Sequence, residues 1–151
     1  MTDDWFDALA ALTDAGARFI VVGAHALAVH GVPRATQDLD VWVDATPENA
    51  ERVWNAFAAF GAPLEALGIS HDDFQRPGMV VQIGLPPSRI DVLMGISGVP
   101  SFDEAWANRM MVTVRGREVP FLGRASLLAN KLAAGRRKDL ADVEALGESP
   151  P

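Results

Sequence analysis

Three aspartates embedded in apolar, β-type runs are the residues in this chain best suited to chemistry. Acids are poor strand formers, yet Asp38 and Asp40 stand one residue apart in "QDLDVWVD", and Asp91 interrupts "RIDVLMGI". Residues i and i+2 of a strand face the same way, about 6.6 Å apart along the backbone. Asp38 and Asp40 can therefore converge on one or two cations, with Leu39 turned to the core. If the Asp91 strand lies beside theirs, three carboxylates form one cluster, and a bound metal relieves their repulsion. An all-oxygen donor set selects a hard cation such as Mg²⁺ or Mn²⁺. The plainer reading is that each acid sits at a strand end, accepting backbone hydrogen bonds or pairing with Arg34 or Arg89.

A glycine turn adds to the pattern. "RFIVVG" is a short β-rich run ending at Gly23, and the Ala-rich helix "AHALAVHG" follows at once. A strand passing through glycine into a helix presents backbone N–H groups in the geometry that binds phosphate. Alone this signal is weak; a D-x-D strand about fifteen residues later makes it informative. Several cations are candidates for the same anion. Arg34 and Thr36 precede the acid pair on the loop "VPRAT", and Arg34 can clamp phosphate oxygens or pair with an Asp at the surface. Lys131, in "LLANKLAAG", can point at the site or snorkel to water. Arg136, Arg137 and Lys138 open "GRRKDLADVEAL", either as anion contacts or as a solvated turn in which Asp139 stabilises the next helix.

These groups need a scaffold of alternating elements. The spacing predicts helices over residues 3–15, 24–31, 46–60, 102–109, 124–135 and 138–146. Strands are expected over 18–23, 37–44, 79–84 and 89–96, with a hairpin over 110–122 turning at Arg115-Gly116. Thr46 and Pro47 are suited to a helix N-cap and first turn. Residues 61–78 read as irregular, with "SHDDF" as one helical turn. Pro86-Pro87-Ser88 is too short a connector for a helix, so its flanking strands form an antiparallel pair. The order implies a mixed α/β (α+β) fold, with a partly antiparallel sheet flanked by helices. One domain over residues 1–146 and a flexible tail over 147–151 are expected.

Composition narrows the function. The chain has 151 residues, 49% hydrophobic, with no cysteine and a formal net charge of −7. Absence of cysteine excludes disulfides, thiolate zinc and thiol nucleophiles. The negative charge argues against nucleic-acid binding over the whole surface, though not against a local basic site. The N-terminus is acidic rather than signal-like, and the most apolar run, residues 19–29, is too short to span a bilayer. A cytoplasmic protein without membrane contact is expected. His25 and His30 fall on different helical faces and make no metal pair, and His71 is expected to be solvated. Trp5, Trp42, Trp54 and Trp106 are expected in the core.

Taken in order, "VVGAHALAVHG", "DLD" and "RIDVL" resemble the nucleotidyltransferase superfamily with the DNA polymerase β-like fold. "VGAHALAVHGVPRATQDLDVWVDATPENAERV" with "NKLAAGRRKDLADVEAL" looks more closely like small bacterial nucleotidyltransferases related to the AbiEii toxin family. The likeness runs from about residue 17 to 146 and is thinnest over 61–78. It implies transfer of a nucleoside monophosphate from an NTP to a hydroxyl acceptor (tRNA or other RNA, a protein or a small molecule), with release of pyrophosphate. By that carry-over Asp38, Asp40 and Asp91 are the catalytic, metal-holding acids for Mg²⁺ or Mn²⁺, and Asp91 helps activate the acceptor. Gly23 and Ala24, with Arg34, Thr36, Lys131 and Lys138, seat the triphosphate. The superfamily turn is usually Gly-Gly or Gly-Ser; here it is Gly23-Ala24, which lacks a hydroxyl. That departure keeps a second reading open, a nucleotidyltransferase-fold binding module with little catalysis, such as one component of a toxin–antitoxin pair.

Overall fold

Apolar residues alternate along the strands and assign each strand two faces. In a computed structural model describing residues 1–149, β1 (Phe19–Val22), β2 (Asp38–Val43), β3 (Val80–Ile83), β4 (Arg89–Leu93), β5 (Met110–Val114) and β6 (Arg117–Phe121) form one sheet in the order β3-β4-β2-β1-β6-β5. β1 runs antiparallel to β2 and parallel to β6; β2 is parallel to β4; the β3–β4 and β5–β6 pairs are antiparallel. The mixed sheet, the antiparallel pair around Pro86-Pro87-Ser88 and the hairpin at Arg115-Gly116 thus match the sequence expectation. Of the expected tail, residues 150–151 lie outside the described residues.

One face of the sheet buries Phe19, Val21, Leu39, Val41, Val43, Ile90 and Val92. It is covered by α1 (Asp3–Asp14) and α3 (Pro47–Phe60), whose Leu9, Leu12, Val53 and Phe57 are buried against it. The apolar residues recur at helical spacing, which puts them on one stripe of each helix. The other face carries Ile20, Val22 and Trp42 under α2 (Gly23–Val29), α4 (Phe102–Ala107), α5 (Arg124–Ala134) and α6 (Arg137–Ala145). Strand parity places Asp38, Asp40, Arg89 and Asp91 on this second face. A single 3-10 turn, His71–Gln75, lies in the otherwise irregular 61–78 segment and packs on α3.

Helix ends follow local chemistry. The Thr46 hydroxyl accepts from the Asn49 N–H, and Pro47 occupies the first turn of α3. Asn49 itself is buried and ties three segments together. Its Oδ1 accepts from the Arg18 N–H at 2.7 Å, while its Nδ2 donates to the carbonyls of Arg18 at 3.0 Å and Asp44 at 2.8 Å. The start of β1 and the end of β2 are thereby pinned to α3. Trp5 and Trp42 are core residues as expected, whereas Trp54 and Trp106 are only half-buried. The difference has a cause in each case: Trp54 meets the exposed His71 edge-on at 4.0 Å, and Trp106 is flanked by the guanidinium groups of Arg18 and Arg109. No helix among the described residues is long and apolar enough to cross a membrane.

Asn49→Ala removes one acceptor and two donated bonds from buried backbone groups. The expected outcome is a loss of about 2–4 kcal/mol in unfolding free energy, read by urea denaturation.

Candidate active site

β2 and β4 are parallel neighbours, and their register sets the site. Asp38 lies opposite Arg89, and Asp40 lies opposite Asp91. The condition set for Asp91 by the sequence is met: its strand lies beside the D-x-D strand, and all three acids share a face. The plainer reading is present too. Arg89 donates from Nη2 to Asp38 Oδ2 at 2.9 Å and to Asp91 Oδ2 at 3.3 Å. Its Nε also stands 3.2 Å from Asp91 Oδ1, yet without hydrogen-bond geometry, and both of those buried atoms have no hydrogen-bond partner. Structural and catalytic roles for the acids are thus not exclusive.

Asp40 has the most perturbed environment of the three. Burial, then the charges of Asp91 and Asp38, push its carboxyl up to about 6 despite the counter-charge of Arg89. Its position depends on Gly23, the expected turn residue, which begins α2 at φ +67°. A Cβ at Gly23 would stand 3.1 Å from Asp40 Cγ and 3.2 Å from its Cβ, and closer still to a carboxylate oxygen. Glycine here meets two demands, a left-handed backbone and the close approach of a carboxylate. Thr36 fixes the start of β2: its hydroxyl accepts from the Asp38 N–H at 3.1 Å and donates to the Asp38 carbonyl at 3.0 Å.

A cleft of about 550 Å³ opens over the acids. The β1–α2 turn and β2 contribute Gly23, Ala24, Asp38 and Asp40 to its lining, the loop before β2 contributes Arg34 and Thr36, and α5, α6 and the turn between them contribute Lys131, Arg136, Lys138, Asp139 and Asp142. Asp91 and its partner Arg89 do not reach the lining. A larger groove, about 870 Å³, runs between α1 and α3; its acids and alanines include no cation, and it is remote from the three aspartates.

The basic wall is more ordered than the sequence suggested. Lys131 neither snorkels to water nor stands free. It is buried, 3.1 Å from Asp142 and 3.4 Å from Asp139. Asp142 also receives Arg34 Nη2 at 2.7 Å, and Asp139 receives Arg136 Nε at 2.6 Å. Asp139 does hold the start of α6, its Oδ2 accepting from the Arg136 N–H at 3.2 Å, but it is fully buried rather than solvated. Burial pushes its carboxyl up, but hydrogen bonds from Arg136 and the Lys131 charge outweigh this and leave its pKa below the ordinary value. Three cations balanced on two buried acids leave a net positive wall facing the negative one. Lys138 is exposed at the rim.

Residues without a strong sequence signal complete the site. Arg89 was legible only as a possible partner of the acids. Asn130 lines the cleft and donates to the Ser97 carbonyl at 2.9 Å, and Leu93 and Ile96 supply its apolar part. Nothing in their types marked them. His25 does not line the cleft. It packs edge-on to Trp5 at 5.0 Å, and burial holds its pKa below the ordinary value. His30 Nε2 lies 2.8 Å from the Leu122 carbonyl, so the two histidines have separate structural roles.

The acids fit a hard cation by chemistry: three carboxylates, one buried oxygen on Asp91 without a hydrogen bond, and one carboxyl burdened by its neighbours' charge. Among the described residues, however, no three His, Cys, Asp or Glu side chains converge tightly enough to hold an ion as they stand. The physical reason is visible in the ion pairs: the Arg89 guanidinium occupies the space between Asp38 and Asp91.

Two stability measurements check this geometry. Gly23→Ala is expected to cost at least about 2 kcal/mol, since it adds a carboxylate clash to left-handed strain. Gly16→Ala, with φ +69° and open space around its Cβ, carries the strain alone and should cost less. For Asp40, the folded chain holds a proton up to about pH 6 that the unfolded chain releases near its ordinary value. The native state binds more protons in that window, so this group's contribution to stability falls as pH rises from about 4 to about 6. In metal-free buffer Asp40→Asn should be about 1–3 kcal/mol more stable than the parent at pH 7.5, with the gap closing below about pH 4.

The architecture has a counterpart among solved structures. A protein of Thermotoga maritima whose crystal structure is described as that of a "putative nucleotidyltransferase" superposes with a TM-score of 0.56 at 14% identity, over 97% of this chain and 92% of that one. No protein-family model matches the sequence, and no curated protein matches it. At such low identity the likeness is one of fold, and it covers this chain's mixed six-stranded sheet with its flanking helices.

Proposed function

We propose that the chain is a metal-dependent nucleotidyltransferase that moves a nucleoside monophosphate from an NTP to a hydroxyl acceptor with release of pyrophosphate. The observation that carries this reading is the in-register pairing of Asp40 with Asp91, with Asp38 two residues away; Asp38 and Asp40 line a cleft that Arg34, Lys131, Arg136 and Lys138 also line. The fold likeness agrees with it in kind.

In this reading Asp38, Asp40 and Asp91 hold Mg²⁺ or Mn²⁺, which when bound supplies charge neutralisation for the phosphates and polarises the acceptor oxygen. The chain's own residues do the positioning that dominates phosphoryl-type transfer. Thr36 holds the Asp38 backbone so that its carboxylate faces the cleft. Gly23 allows Asp40 to pass close to the β1–α2 turn. Asp91, paired in register with Asp40, takes the proton of an acceptor hydroxyl in this reading. Arg34 and Lys131, oriented by Asp142, together with Lys138, bind phosphate oxygens, and backbone N–H groups at Gly23 and Ala24 add donors. The α2 N-terminus has no side-chain cap competing for them. The absence of a hydroxyl at Ala24 places more of the triphosphate's recognition on these cations.

The AbiEii-like resemblance makes tRNA or a partner protein the first acceptors to test, in a cytoplasmic setting. One observation favours a second reading, a binding module of toxin–antitoxin type with weak catalysis: Arg34, Lys131 and Arg89 all have carboxylate partners within the chain.

The two readings separate in one assay. With each labelled NTP, Mg²⁺ or Mn²⁺, and a panel of RNA, protein and small hydroxylated acceptors, pyrophosphate release and label transfer are expected. Asp38→Ala and Asp91→Asn should each lower the rate at least about a hundred-fold, while Asp4→Ala, on the remote groove, leaves it unchanged. No turnover across the panel, with Asp38→Ala indistinguishable from the parent, overturns the enzyme reading.

A further inference from the structure

We propose that Arg89 is the resident counter-cation of the acid cluster, tying Asp38 to Asp91 until a divalent cation takes those oxygens and the guanidinium swings away. The inference rests on the metal-site reading above and adds to it a residue that must move.

The β2–β4 register makes a square of four side chains on one face, with Asp38 opposite Arg89 and Asp40 opposite Asp91. Fully ionised, three carboxylates and one guanidinium sum to −2; without Arg89 the sum is −3. Held in a half-buried site, that charge needs a compensating group, and Arg89 is, among the described residues, the one cation in contact with two of the acids. The tie is unequal. The contact to Asp38 is a well-formed charged hydrogen bond at 2.9 Å. The contact to Asp91 is a longer 3.3 Å bond beside an Nε–Oδ1 approach that lacks hydrogen-bond geometry. An imperfect bond is the easier one to surrender.

A cation held by Asp38 and Asp91 would need the oxygens that the Arg89 guanidinium now contacts. A lysine could escape the conflict by losing its proton, but arginine keeps its charge at any physiological pH, so Arg89 must leave at least one of its partners. The side chain is free to do so. Its relative exposure is 30%, and its backbone is anchored independently, since the Arg89 carbonyl accepts from Trp5 Nε1 at 3.2 Å. Once displaced, a planar guanidinium finds its natural partner in an anionic oxygen, such as a phosphate.

The test uses the full chain and Mn²⁺ or Mg²⁺ alone. In calorimetric titrations Arg89→Met is expected to bind Mn²⁺ about ten-fold more tightly than the parent and to melt at a lower temperature without metal; Arg89→Lys should be intermediate in affinity. In NMR of the parent with ¹⁵N-labelled arginine, the Arg89 Nε–Hε resonance, assigned by its loss in Arg89→Lys, should shift with the same midpoint as Mg²⁺ binding. That titration needs no destabilised variant, so it decides the matter even if Arg89→Met does not fold. Mn²⁺ binding by parent and Arg89→Met with equal or weaker affinity in the variant, or an Arg89 resonance that Mg²⁺ leaves unmoved while binding proceeds, overturns the role of Arg89 and leaves the metal site standing. No Mn²⁺ binding by the parent or by either variant overturns the metal-site reading, and the proposal falls with it.

Discussion

The parallel register between β2 and β4 is the constraint on which the site depends. It sets Asp40 against Asp91 across one ladder and Asp38 against Arg89 across the next pair. A slip of β4 by one residue would send Arg89 and Asp91 away from Asp38 and Asp40 to the opposite face, where Leu39, Val41, Ile90 and Val92 now fill an apolar core. The hydrophobic pattern that builds that core thus also holds three acids together on the other side. Their repulsion is a cost the fold bears for the placement. The raised pKa of Asp40 expresses that cost, and Arg89 offsets part of it. An arrangement that opposes stability and survives at the mouth of a cleft is the usual mark of a functional site.

The two walls of the cleft solve opposite electrostatic problems by different means. On the acid wall, carboxylates outnumber cations, and the charge is left open to a ligand. On the basic wall, Asp139 and Asp142 are buried and each meets at least two cations. Those buried acids orient long, flexible side chains that would otherwise lose rotamer entropy on binding an anion. Pre-paired cations are weaker attractors than free ones but better positioned. The wall retains a positive excess because Arg34, Lys131, Arg136 and Lys138 outnumber the two acids.

Much of this was legible in the sequence because it depends on local rules. Strand alternation, the Gly23 turn, the Thr46-Pro47 helix start and the short Pro86-Pro87-Ser88 connector each state their structure within a few residues. The three aspartates were visible because acids in apolar strands violate local preference. The ion network around Lys131 was not visible, since it joins residues from α5, α6 and the loop before β2. A lysine among apolar residues reads the same whether it snorkels or meets two buried acids. Asn49 passed unnoticed for a similar reason: a helix-start asparagine is ordinary, and only the tertiary fold brings the Arg18 and Asp44 backbones within its reach.

Arg89 shows most clearly how a tertiary contact changes the meaning of a residue. Sequence reasoning offered a choice between acids paired with an arginine and acids holding a metal. The register joins the two, because it sets Arg89 and the acids it pairs with on one face, in the same square of side chains. A cluster of like charges folded without its ligand must find a substitute charge or protonate, and this chain does some of each: Arg89 binds Asp38 and Asp91, while Asp40, the acid Arg89 does not touch, has the raised carboxyl pKa. The acid left without a guanidinium is therefore the one with most to gain from a cation, and it is also the one that Gly23 brings closest to the β1–α2 turn.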